Sequence, residues 1–530
     1  YTPTHTLSLH DALPISHLEG DATQFFPFNK GRGTGAGNPI PPAGAFATAY
    51  LCEEVWAKDS VLNLLEHFVH EVDLFDDRGR RTGERALIFP RYHQLDAVRR
   101  LVADAREHGP GERYLIQHSA GSGKTYTIAW LAHQLTTLHD RDDEPIFDTI
   151  VVITDRRALD RQLQQHVREF EQVRGLVRNI RGSSQDLKDA LEEGKRIVVS
   201  TLQKFPYISD EIESLPGHNC AVIIDEAHSS QSGEMRKHLK SVLAADSLEQ
   251  AAAEESDEGE DWEDRIVREM RTRGRLPNVS NFAFTATPKK RTLEMFGTPQ
   301  PDGTFEPFSL YSMRQAIEEG FIMDVLEHYT TYQAYWDLLK RAEDDPRYDR
   351  RKATKVLTRY VSLHEHAIDQ KVATMVEHFH ASVAHQIGGQ AKAMILTRSR
   401  LHAVRYKLAL DRYLRRQGYP YKALVAFSGT VRDPKDGLKY TEAGMNGFPQ
   451  NRTEDIFERS GYRFLVVANK FQTGFDQPLL AAMYVDKKLG GVRAVQSLSR
   501  LNRTHPDKHM TQVLDFANEA EVIQSAFEPY

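Results

Sequence analysis

Short continuous runs of apolar residues recur along the chain, and polar residues follow most of them. Runs that are apolar on both faces are typical of parallel strands covered by helices on both sides of a sheet. Between several runs, apolar residues repeat at helical spacing, as in 128–132 and 163–170. The pattern predicts an α/β fold with two parallel sheets in succession. The predicted strands are 114–116, 150–153, 196–200, 221–224, 282–284, 393–397, 423–427, 464–468 and 482–486.

The first predicted strand leads into the sequence HSAGSGKT at residues 118–125, with His118 where the standard pattern has a glycine. A strand, a glycine-rich loop, Lys-Thr and a helix are the layout of a phosphate-binding loop. The glycines let backbone N–H groups point at phosphates, and the helix directs its positive N-terminus at them. We expect Lys124 to reach the β- and γ-phosphates of ATP and Thr125 to ligate Mg²⁺. The expected nucleotide ligands are Ser119, Gly121, Ser122, Gly123, Lys124 and Thr125.

Two acidic residues follow the predicted strand 221–224. Downstream of a phosphate loop, this arrangement predicts that Asp225 holds Mg²⁺ and that Glu226 acts as the general base on the attacking water. Hydroxyl residues follow strand 282–284. We expect Thr285 and Thr287 to bond toward the Asp-Glu site and couple hydrolysis to movement.

Other polar residues suggest contacts with adenine and with nucleic acid. Gln94 lies 30 residues before Lys124, and its amide could read adenine because it donates and accepts at once; a solvated glutamine at a helix start is the alternative. Ligands of open α/β sheets sit at the carboxyl ends of strands, where basic or hydroxyl residues recur here. The candidates for nucleic-acid contact are Arg156, Arg157, Lys204, Arg398 and Thr473.

Near the end of the chain, Gln496, Arg500 and Arg503 have the i, i+4, i+7 spacing of one helical face. Arginines at the edge of a second sheet can reach a γ-phosphate held by the first, which is the arginine-finger arrangement. A solvated basic helix is the alternative interpretation.

Composition narrows these interpretations. The net charge of −7 over 530 residues gives no global basic signature, so nucleic-acid binding requires a local groove. Two cysteines cannot form a disulfide framework and indicate a reducing cytoplasm. The apolar runs are shorter than the 18 to 20 or so residues of a membrane span. Residues 249–264 hold nine acidic residues and no basic one, which predicts a flexible surface insertion.

The ordered set of phosphate loop, Asp-Glu-Ala-His, Thr-Ala-Thr, Thr-Gly-Phe-Asp and Gln-x-x-x-Arg-x-x-Arg resembles a superfamily 2 helicase or translocase motor. Residues 88–98, 117–130, 471–479 and 497–504 resemble more closely the restriction (motor) subunit of type I restriction–modification enzymes. The resemblance covers roughly residues 17–530. It implies two RecA-like domains in tandem, a helicase-like core, and it assigns Gly474 and Asp476 to the nucleotide site and Gln496 to coupling.

The resemblance and the sequence pattern together suggest domain limits. Residues 1–16 resemble translated adapter sequence or a disordered tail, and 17–85 a linker before the motor, with a glycine-rich structural loop near its start. Residues 86–308 are the expected first motor domain and 309–530 the second. We expect the family's nuclease domain to lie outside this chain, since its first 85 or so residues show no Asp…Glu-x-Lys cluster. We expect the family's C-terminal helical domain to lie outside it too, since the chain stops shortly after the last motor motif.

The function implied is ATP-dependent translocation along double-stranded DNA before cleavage by a type I restriction endonuclease. Methylation and specificity subunits are the implied partners, ATP and Mg²⁺ the implied cofactors, and no membrane is involved. One alternative is a different superfamily 2 DNA or RNA helicase. Another is a DNA-binding scaffold that does not hydrolyse ATP, against which the intact Lys124, Asp225, Glu226, Arg500 and Arg503 argue.

Overall fold

The computed structural model describes residues 27–75, 81–154, 177–179, 196–201, 218–225, 270, 276–332, 367–471 and 475–530. The chain divides into two compact units. Among the described residues, those up to Ile322 together with Tyr530 form the first unit, and Met323–Pro529 form the second. None of the described helices has the length and apolar character needed to cross a membrane.

The first unit is built on a parallel sheet of seven described strands, in the spatial order β11-β3-β8-β7-β4-β6-β5. Two antiparallel pairs, β1 with β2 and β9 with β10, accompany it. The strands are β1 His70–Phe75, β2 Arg81–Ile88, β3 Arg113–His118, β4 Thr149–Thr154, β5 Val177–Asn179, β6 Ile197–Thr201, β7 Cys220–Ile224, β8 Val279–Thr285, β9 Thr298–Pro299, β10 Phe305–Glu306 and β11 Ser309–Tyr311.

Helices cover the first sheet. They are α1 Lys58–His67, α2 Tyr92–His108, α3 Lys124–Thr136, α4 Lys290–Phe296 and α5 Met313–Glu318, with a π-helical turn at Leu51–Val55. Every residue of β4, β7 and β8 is buried. Burial on both faces is what the continuous apolar runs predict.

The second unit has a parallel sheet of six described strands, in the order β12-β19-β18-β13-β17-β14, and an antiparallel hairpin of β15 and β16. Its strands are β12 Tyr329–Thr331, β13 Lys392–Thr397, β14 Lys422–Ala426, β15 Thr430–Arg432, β16 Lys439–Thr441, β17 Tyr462–Val467, β18 Leu480–Asp486 and β19 Gln512–Asp515. Its helices are α6 Ala367–His378, α7 Gln386–Gly389, α8 Arg400–Gln417, α9 Glu442–Asn446, α10 Thr453–Phe457, α11 Gly491–Leu498 and α12 Ala520–Phe527, with short turns at Phe379–Val383 and Gln450–Arg452.

The predicted fold class is confirmed: both sheets are parallel and lie between helices. The structure differs from the expected domain limit after residue 308, because Ser309–Tyr311 is the edge strand of the first sheet. It pairs with β3 in parallel, with Tyr311 opposite His118. The backbone pairing holds this segment to the first unit, although the domain limits as a whole stay a prediction.

Residues 51–68, which precede the predicted first motor domain, pack within the first unit. The Trp130 indole donates a hydrogen bond to the Phe68 carbonyl (3.0 Å), and the two rings are in contact, with centroids 5.7 Å apart. Arg99 of α2 donates to the Ser60 hydroxyl, the Ser60 carbonyl and the Asn63 side chain, each at 2.9 Å. Residues 51–68 thus share the hydrophobic core of the first unit.

The glycine-rich loop at residues 31–37 contacts α5. The Ala36 N–H donates to the Glu318 carboxylate (2.7 Å), and the Ser312 hydroxyl donates to the Thr34 carbonyl. A Cβ at Gly35 would lie 2.8 Å from the same carboxylate, so a side chain there would force a rearrangement. The contacts fit the structural role expected for this loop.

Candidate functional site

The phosphate loop connects β3 to α3 at the carboxyl edge of the first sheet. Gly121 and Gly123 have φ angles of +84° and +78°, a region that side chains other than glycine rarely adopt. The Ser122 N–H donates to the Ser119 carbonyl (3.2 Å) and closes the turn. The N-terminus of α3 follows this turn directly, and the positive end of a helix is a favourable place for an anion.

Unpaired polar atoms line this loop. The Oγ atoms of Ser119 and Ser122 are buried and have no hydrogen-bond partner within the described part of the chain. The Lys124 ammonium donates to the carbonyls of His118 (3.3 Å) and Ser119 (3.2 Å). Since buried polar atoms are normally paired, the two hydroxyls fit a bound phosphate, and the lysine is beside the loop that would hold it.

Three other predicted residues of the first unit, Asp225, Thr285 and Thr287, lie along the same sheet edge. Asp225 directly follows β7, is buried, and donates its N–H to the Ile153 carbonyl (2.8 Å). Strand β8 lies between β3 and β7 and ends at Thr285, whose hydroxyl accepts the Thr287 N–H (3.2 Å). Strands are spaced by about 4.8 Å, so Asp225 lies roughly 10 Å across the edge from the phosphate loop. A phosphate loop, two threonines and a carboxylate therefore share one edge.

Two consecutive residues of α2 hold two consecutive carbonyls of the phosphate loop. His93 Nε2 bonds the Ser122 carbonyl (3.0 Å), and the Gln94 amide donates to the Gly123 carbonyl (2.9 Å). The Gln94 carbonyl oxygen accepts the Arg91 N–H (2.9 Å). The amide of Gln94 is thus already bonded to backbone at both ends, and its adenine-reading role stays a prediction.

His118, the residue at the unusual loop position, is fully buried. Its Nε2 bonds the Ser309 hydroxyl (3.0 Å) of β11, and its ring packs edge-on against His93, with centroids 5.1 Å apart. Burial and the nearby Lys124 charge lower the pKa of His118 to about 3. The neutral imidazole therefore packs beside the loop and bonds β11. A glycine at this position would make neither contact.

In the second unit, Arg503 and Asp476 form an ion pair. Arg503 Nε donates to Asp476 Oδ1 at 2.9 Å, and both side chains are mostly buried. Arg500 is buried too and donates to the carbonyls of Gln496 (3.2 Å) and Phe475 (3.3 Å). The structure thus brings together three of the residues that the sequence separates by up to 27 positions.

The expected helical face differs from the structure. Helix α11 carries Gln496 but ends at Leu498, so Arg500 and Arg503 lie in the loop that follows. In this loop the buried Lys508 ammonium donates hydrogen bonds to the carbonyls of Leu501 and Arg503, each at 2.7 Å. Lys508 thus supplies a donor to two carbonyls of the loop that follows the helix. Sequence reasoning missed Lys508, which no motif marks.

The nucleic-acid candidate Arg398 donates to Asp486 (3.0 Å), and its side chain is 42% exposed. Lys371 and the Tyr406 hydroxyl bond the same carboxylate (2.7 and 2.6 Å). Arg398 is therefore held in a polar cluster and still reaches solvent. The predicted residues that lie outside the described ranges are Arg156, Arg157, Lys204, Glu226, Thr473 and Gly474.

Among the described residues, no group of three or more His, Cys, Asp or Glu side chains could hold a metal ion. The pair Thr125 and Asp225 supplies oxygen atoms, which Mg²⁺ prefers, and this ion commonly takes few protein ligands with water and phosphate completing its shell. Oxygen donors of this kind suit Mg²⁺.

Comparison with known proteins gives two family matches. The model of the SWI2/SNF2 ATPase matches residues 93–248, and the model of type I restriction enzyme subunit R domain 3 matches residues 437–518. The first covers the phosphate loop and Asp225, and the second covers Asp476, Arg500 and Arg503. The two matches therefore lie on the segments that carry the candidate sites.

Curated relatives and a solved structure agree with these matches. The chain is 23% identical over 574 residues to the MjaVIIP endonuclease subunit of Methanocaldococcus jannaschii, covering 88% of this chain and 53% of the relative. It is 24% identical over 508 residues to the type I restriction enzyme HindI endonuclease subunit of Haemophilus influenzae, covering 89% and 43%.

A fragment assigned as an HsdR subunit of a type I restriction enzyme from Vibrio vulnificus YJ016 has the same fold, with a TM-score of 0.50 at 16% identity over 91% of this chain and 72% of that one. The chain spans about half the length of the curated relatives it matches. With one segment that matches the SWI2/SNF2 ATPase model and another that matches subunit R domain 3, the chain is similar over most of its length to the R (endonuclease) subunits of type I restriction enzymes.

Proposed function

We propose that this chain is an ATP-dependent motor that moves along double-stranded DNA within a type I restriction enzyme, before a nuclease domain cleaves the DNA. The observation that carries the proposal is the edge of the first sheet, where the phosphate loop, Thr285 and Asp225 lie on neighbouring strands β3, β8 and β7. The match of this segment to a SWI2/SNF2 ATPase supports it.

Each group at this edge has a proposed role. Lys124 and the loop N–H groups neutralise the phosphates, and Ser119 and Ser122 donate hydroxyl bonds to their oxygens. Thr125 and Asp225 hold Mg²⁺, which supplies positive charge at the β- and γ-phosphates. Glu226, the next residue after Asp225, accepts the proton of the attacking water. Thr285 and Thr287 transmit the change at this edge to the rest of the motor.

We assign the second unit's arginines a role in hydrolysis rather than in affinity. Arg500 and Arg503 are the proposed charge-stabilising groups at the γ-phosphate, with Asp476 orienting Arg503 and Gln496 coupling hydrolysis to movement. Duplex DNA is the proposed track, and Arg398, together with residues 156, 157, 204 and 473, supplies proposed contacts to it. Methylation and specificity subunits of the enzyme are the proposed partners, and the cytoplasm the proposed location.

Steady-state ATP hydrolysis tests the proposal. Wild-type protein should hydrolyse ATP faster with duplex DNA than without it, and Lys124→Ala should abolish the activity because a positive charge is lost at the phosphates. Lys290→Ala is the matched control, since Lys290 is also the first residue of a helix in the first unit and is exposed. This control should hydrolyse ATP as the wild type does.

Movement is tested separately by displacement of a triplex-forming strand from a duplex, in the presence of ATP. Displacement should stop in Lys124→Ala and proceed in Lys290→Ala. Hydrolysis that needs no DNA, or that only RNA stimulates, would contradict a duplex DNA motor. Nucleotide binding without any turnover would identify a scaffold instead.

A further inference from the structure

Three aromatic side chains that the proposed chemistry does not use contact one another beside the phosphate loop. His93 lies flat against Tyr311, with ring centroids 3.7 Å apart and an interplanar angle of 10°, and His118 packs edge-on against His93. We call these three residues the pedestal. All are buried, and they come from α2, β3 and β11.

The pedestal is bonded to the loop at both of the loop's ends. His93 Nε2 bonds the Ser122 carbonyl (3.0 Å), and the Ser119 N–H donates to the Tyr311 carbonyl (2.9 Å). Burial lowers the pKa of His93 well below its usual range, so the ring is neutral. A neutral imidazole that bonds a carbonyl through Nε2 must carry its proton there. The tautomer of His93 is therefore set by the loop.

Hydrogen bonds also hold the pedestal to residues outside the phosphate loop. The Tyr311 hydroxyl donates to Glu319 (2.7 Å), the Gln315 amide donates to the same carboxylate (2.9 Å), and His118 bonds Ser309 (3.0 Å). Close packing and satisfied bonds leave the rings little freedom. A carbonyl held by such a rigid donor cannot turn toward a bound phosphate, where it would repel the phosphate oxygens.

We propose that His93, stacked on Tyr311 and packed against His118, is a positioning residue that holds the phosphate loop in its nucleotide-binding shape. The inference rests on the proposed ATP site and adds a residue to it. It also explains His118: the imidazole replaces a glycine because it completes the pedestal and links the loop to the edge strand β11.

Titration of ATP and of ADP into the full chain, with Mg²⁺, tests the pedestal. His93→Phe keeps a ring on Tyr311 but removes the donor, and should weaken nucleotide binding by roughly threefold to tenfold, the usual effect of one lost hydrogen bond. His93→Gln can donate an amide N–H to the same carbonyl and should restore most of the affinity. The KM for ATP should rise more than kcat falls.

A matched control separates positioning from general stability. His378 of the second unit also contacts a tyrosine ring, that of Tyr484, edge-on. Its Nδ1 bonds the Tyr484 hydroxyl at 2.9 Å. His378→Phe should lower the melting temperature without changing nucleotide affinity. If His93→Phe does not fold, Ser309→Ala removes only the hydroxyl that bonds His118 and should weaken binding about twofold to threefold.

The outcomes are distinct. If wild type binds nucleotide and His93→Phe, or in its place Ser309→Ala, binds it equally well, the pedestal inference is overturned while the ATP site stands. If wild type binds no nucleotide, the proposed function fails and the pedestal with it. Loss of affinity in His378→Phe equal to that in His93→Phe would reduce the effect to stability and would also overturn the inference.

A second and independent observation concerns the hairpin of β15 and β16, which follows β14 at the carboxyl edge of the second sheet. Arg432, Lys435 and Lys439 are exposed on it, and Leu438 between them is 57% exposed. Of the hairpin's two acids, Asp433 is buried and paired with Arg405 through two bonds (2.8 and 3.0 Å). The exposed surface of residues 430–441 thus carries three positive charges and one negative charge, that of Asp436.

The hairpin is stiff for so exposed an element. Asp433 accepts the Lys435 N–H (2.8 Å), and Asp436 accepts the Leu438 N–H (2.8 Å) and the Tyr440 hydroxyl (2.6 Å). Ordering long side chains on a rigid support lowers the entropic cost of binding. Three cations presented in this way match the charge of a nucleic-acid backbone, whose phosphates are the usual protein contacts.

We infer that the hairpin of residues 430–441 contacts the phosphate backbone of duplex DNA, an inference that rests on the proposed DNA motor. The test is the affinity of the full chain for a duplex at several salt concentrations. Replacing Arg432, Lys435 and Lys439 by Gln should flatten the slope of log K against log salt by about 0.9 for each lost contact. Matched Gln substitutions of Arg412, Arg415 and Arg416, exposed on the last turns of α8, should leave the slope unchanged.

Equal slopes in wild type and the hairpin variant would overturn the hairpin inference and leave DNA binding intact. A wild type that binds no duplex would overturn both. An equal effect of the α8 control would show only a loss of net charge and would also overturn the specific assignment. A larger effect on single-stranded RNA than on duplex DNA would assign the surface to another partner.

Discussion

At the scale of single residues, the sequence marks the groups whose neighbours in the chain define their chemistry. Lys124 and Asp225 are predictable because a strand, a short loop and a helix place them locally. His93 and Tyr311 lie 218 residues apart in the sequence, and their stacking depends on an edge strand that no local pattern announces. The role of Lys508 likewise becomes visible only in the folded structure, where its side chain is buried against the loop that carries Arg500 and Arg503.

Arg503→Ala should leave the affinity for ATP within about twofold of wild type and reduce kcat by on the order of 10²-fold or more, since an arginine finger stabilises charge that develops in the transition state. Binding and hydrolysis are measured by calorimetry and phosphate release. Arg412→Ala is the control, because Arg412 also pairs with an aspartate, Asp369 (3.1 Å), but is exposed. Equal losses of affinity and kcat in Arg503→Ala would make Arg503 a structural residue.

Lys508→Met should destabilise the second unit by about 2–4 kcal/mol, because it leaves the buried carbonyl of Leu501 and the half-buried carbonyl of Arg503 without their donor. Burial also lowers the pKa of Lys508 to about 7. Because burial already disfavours the charged form, we expect the loss of the hydrogen bonds, rather than the loss of the charge, to dominate the effect. Urea unfolding followed by circular dichroism measures the change. A stability within 0.5 kcal/mol or so of wild type would show that solvent satisfies these carbonyls.

The low pKa of His118, about 3, makes the stability of the first unit depend on pH. The unfolded chain binds a proton at this histidine below pH 6.5 or so, whereas the folded chain does not until about pH 3. Stability should therefore fall as pH drops below about 6.5, by up to about 1.4 kcal/mol per pH unit from this group. Urea midpoints of wild type and His118→Leu between pH 7 and 5 should diverge in slope, and parallel slopes would contradict the assignment.

At the scale of elements, long buried strands are predictable and short edge strands are not. Strands β4, β7, β13 and β18 are buried along their whole length, and each contains a continuous apolar run of four or more residues. Strand β11 has three residues, one of them exposed, and its pairing with β3 arises from tertiary contact. The end of α11 at Leu498 is equally hard to predict, because no proline or glycine follows Leu498 before Pro506.

Helix α1 should loosen when Arg99 is replaced by Ala, because three bonds from its guanidinium hold Ser60 and Asn63. Amide hydrogen exchange should become at least several-fold faster over residues 58–68 and stay unchanged in β3 and β8. Arg106→Ala is the control on the same helix α2, where Arg106 is exposed. Unchanged exchange over 58–68 in Arg99→Ala would show that the Phe68 and Trp130 contacts suffice to hold the segment.

At the scale of the whole molecule, each unit has its own hydrophobic core. Two clusters of buried side chains lie within the first unit, one on each side of its sheet, and two others lie within the second. Because hydrophobic burial is the dominant favourable term in folding, a unit that contains its own core should fold alone.

We predict that residues 323–530, expressed separately, unfold cooperatively in urea with the circular dichroism of an α/β protein. Lys508→Met should lower the midpoint of this fragment as much as it does in the full chain, whereas a fragment without a cooperative transition would mean that the second core depends on the first unit.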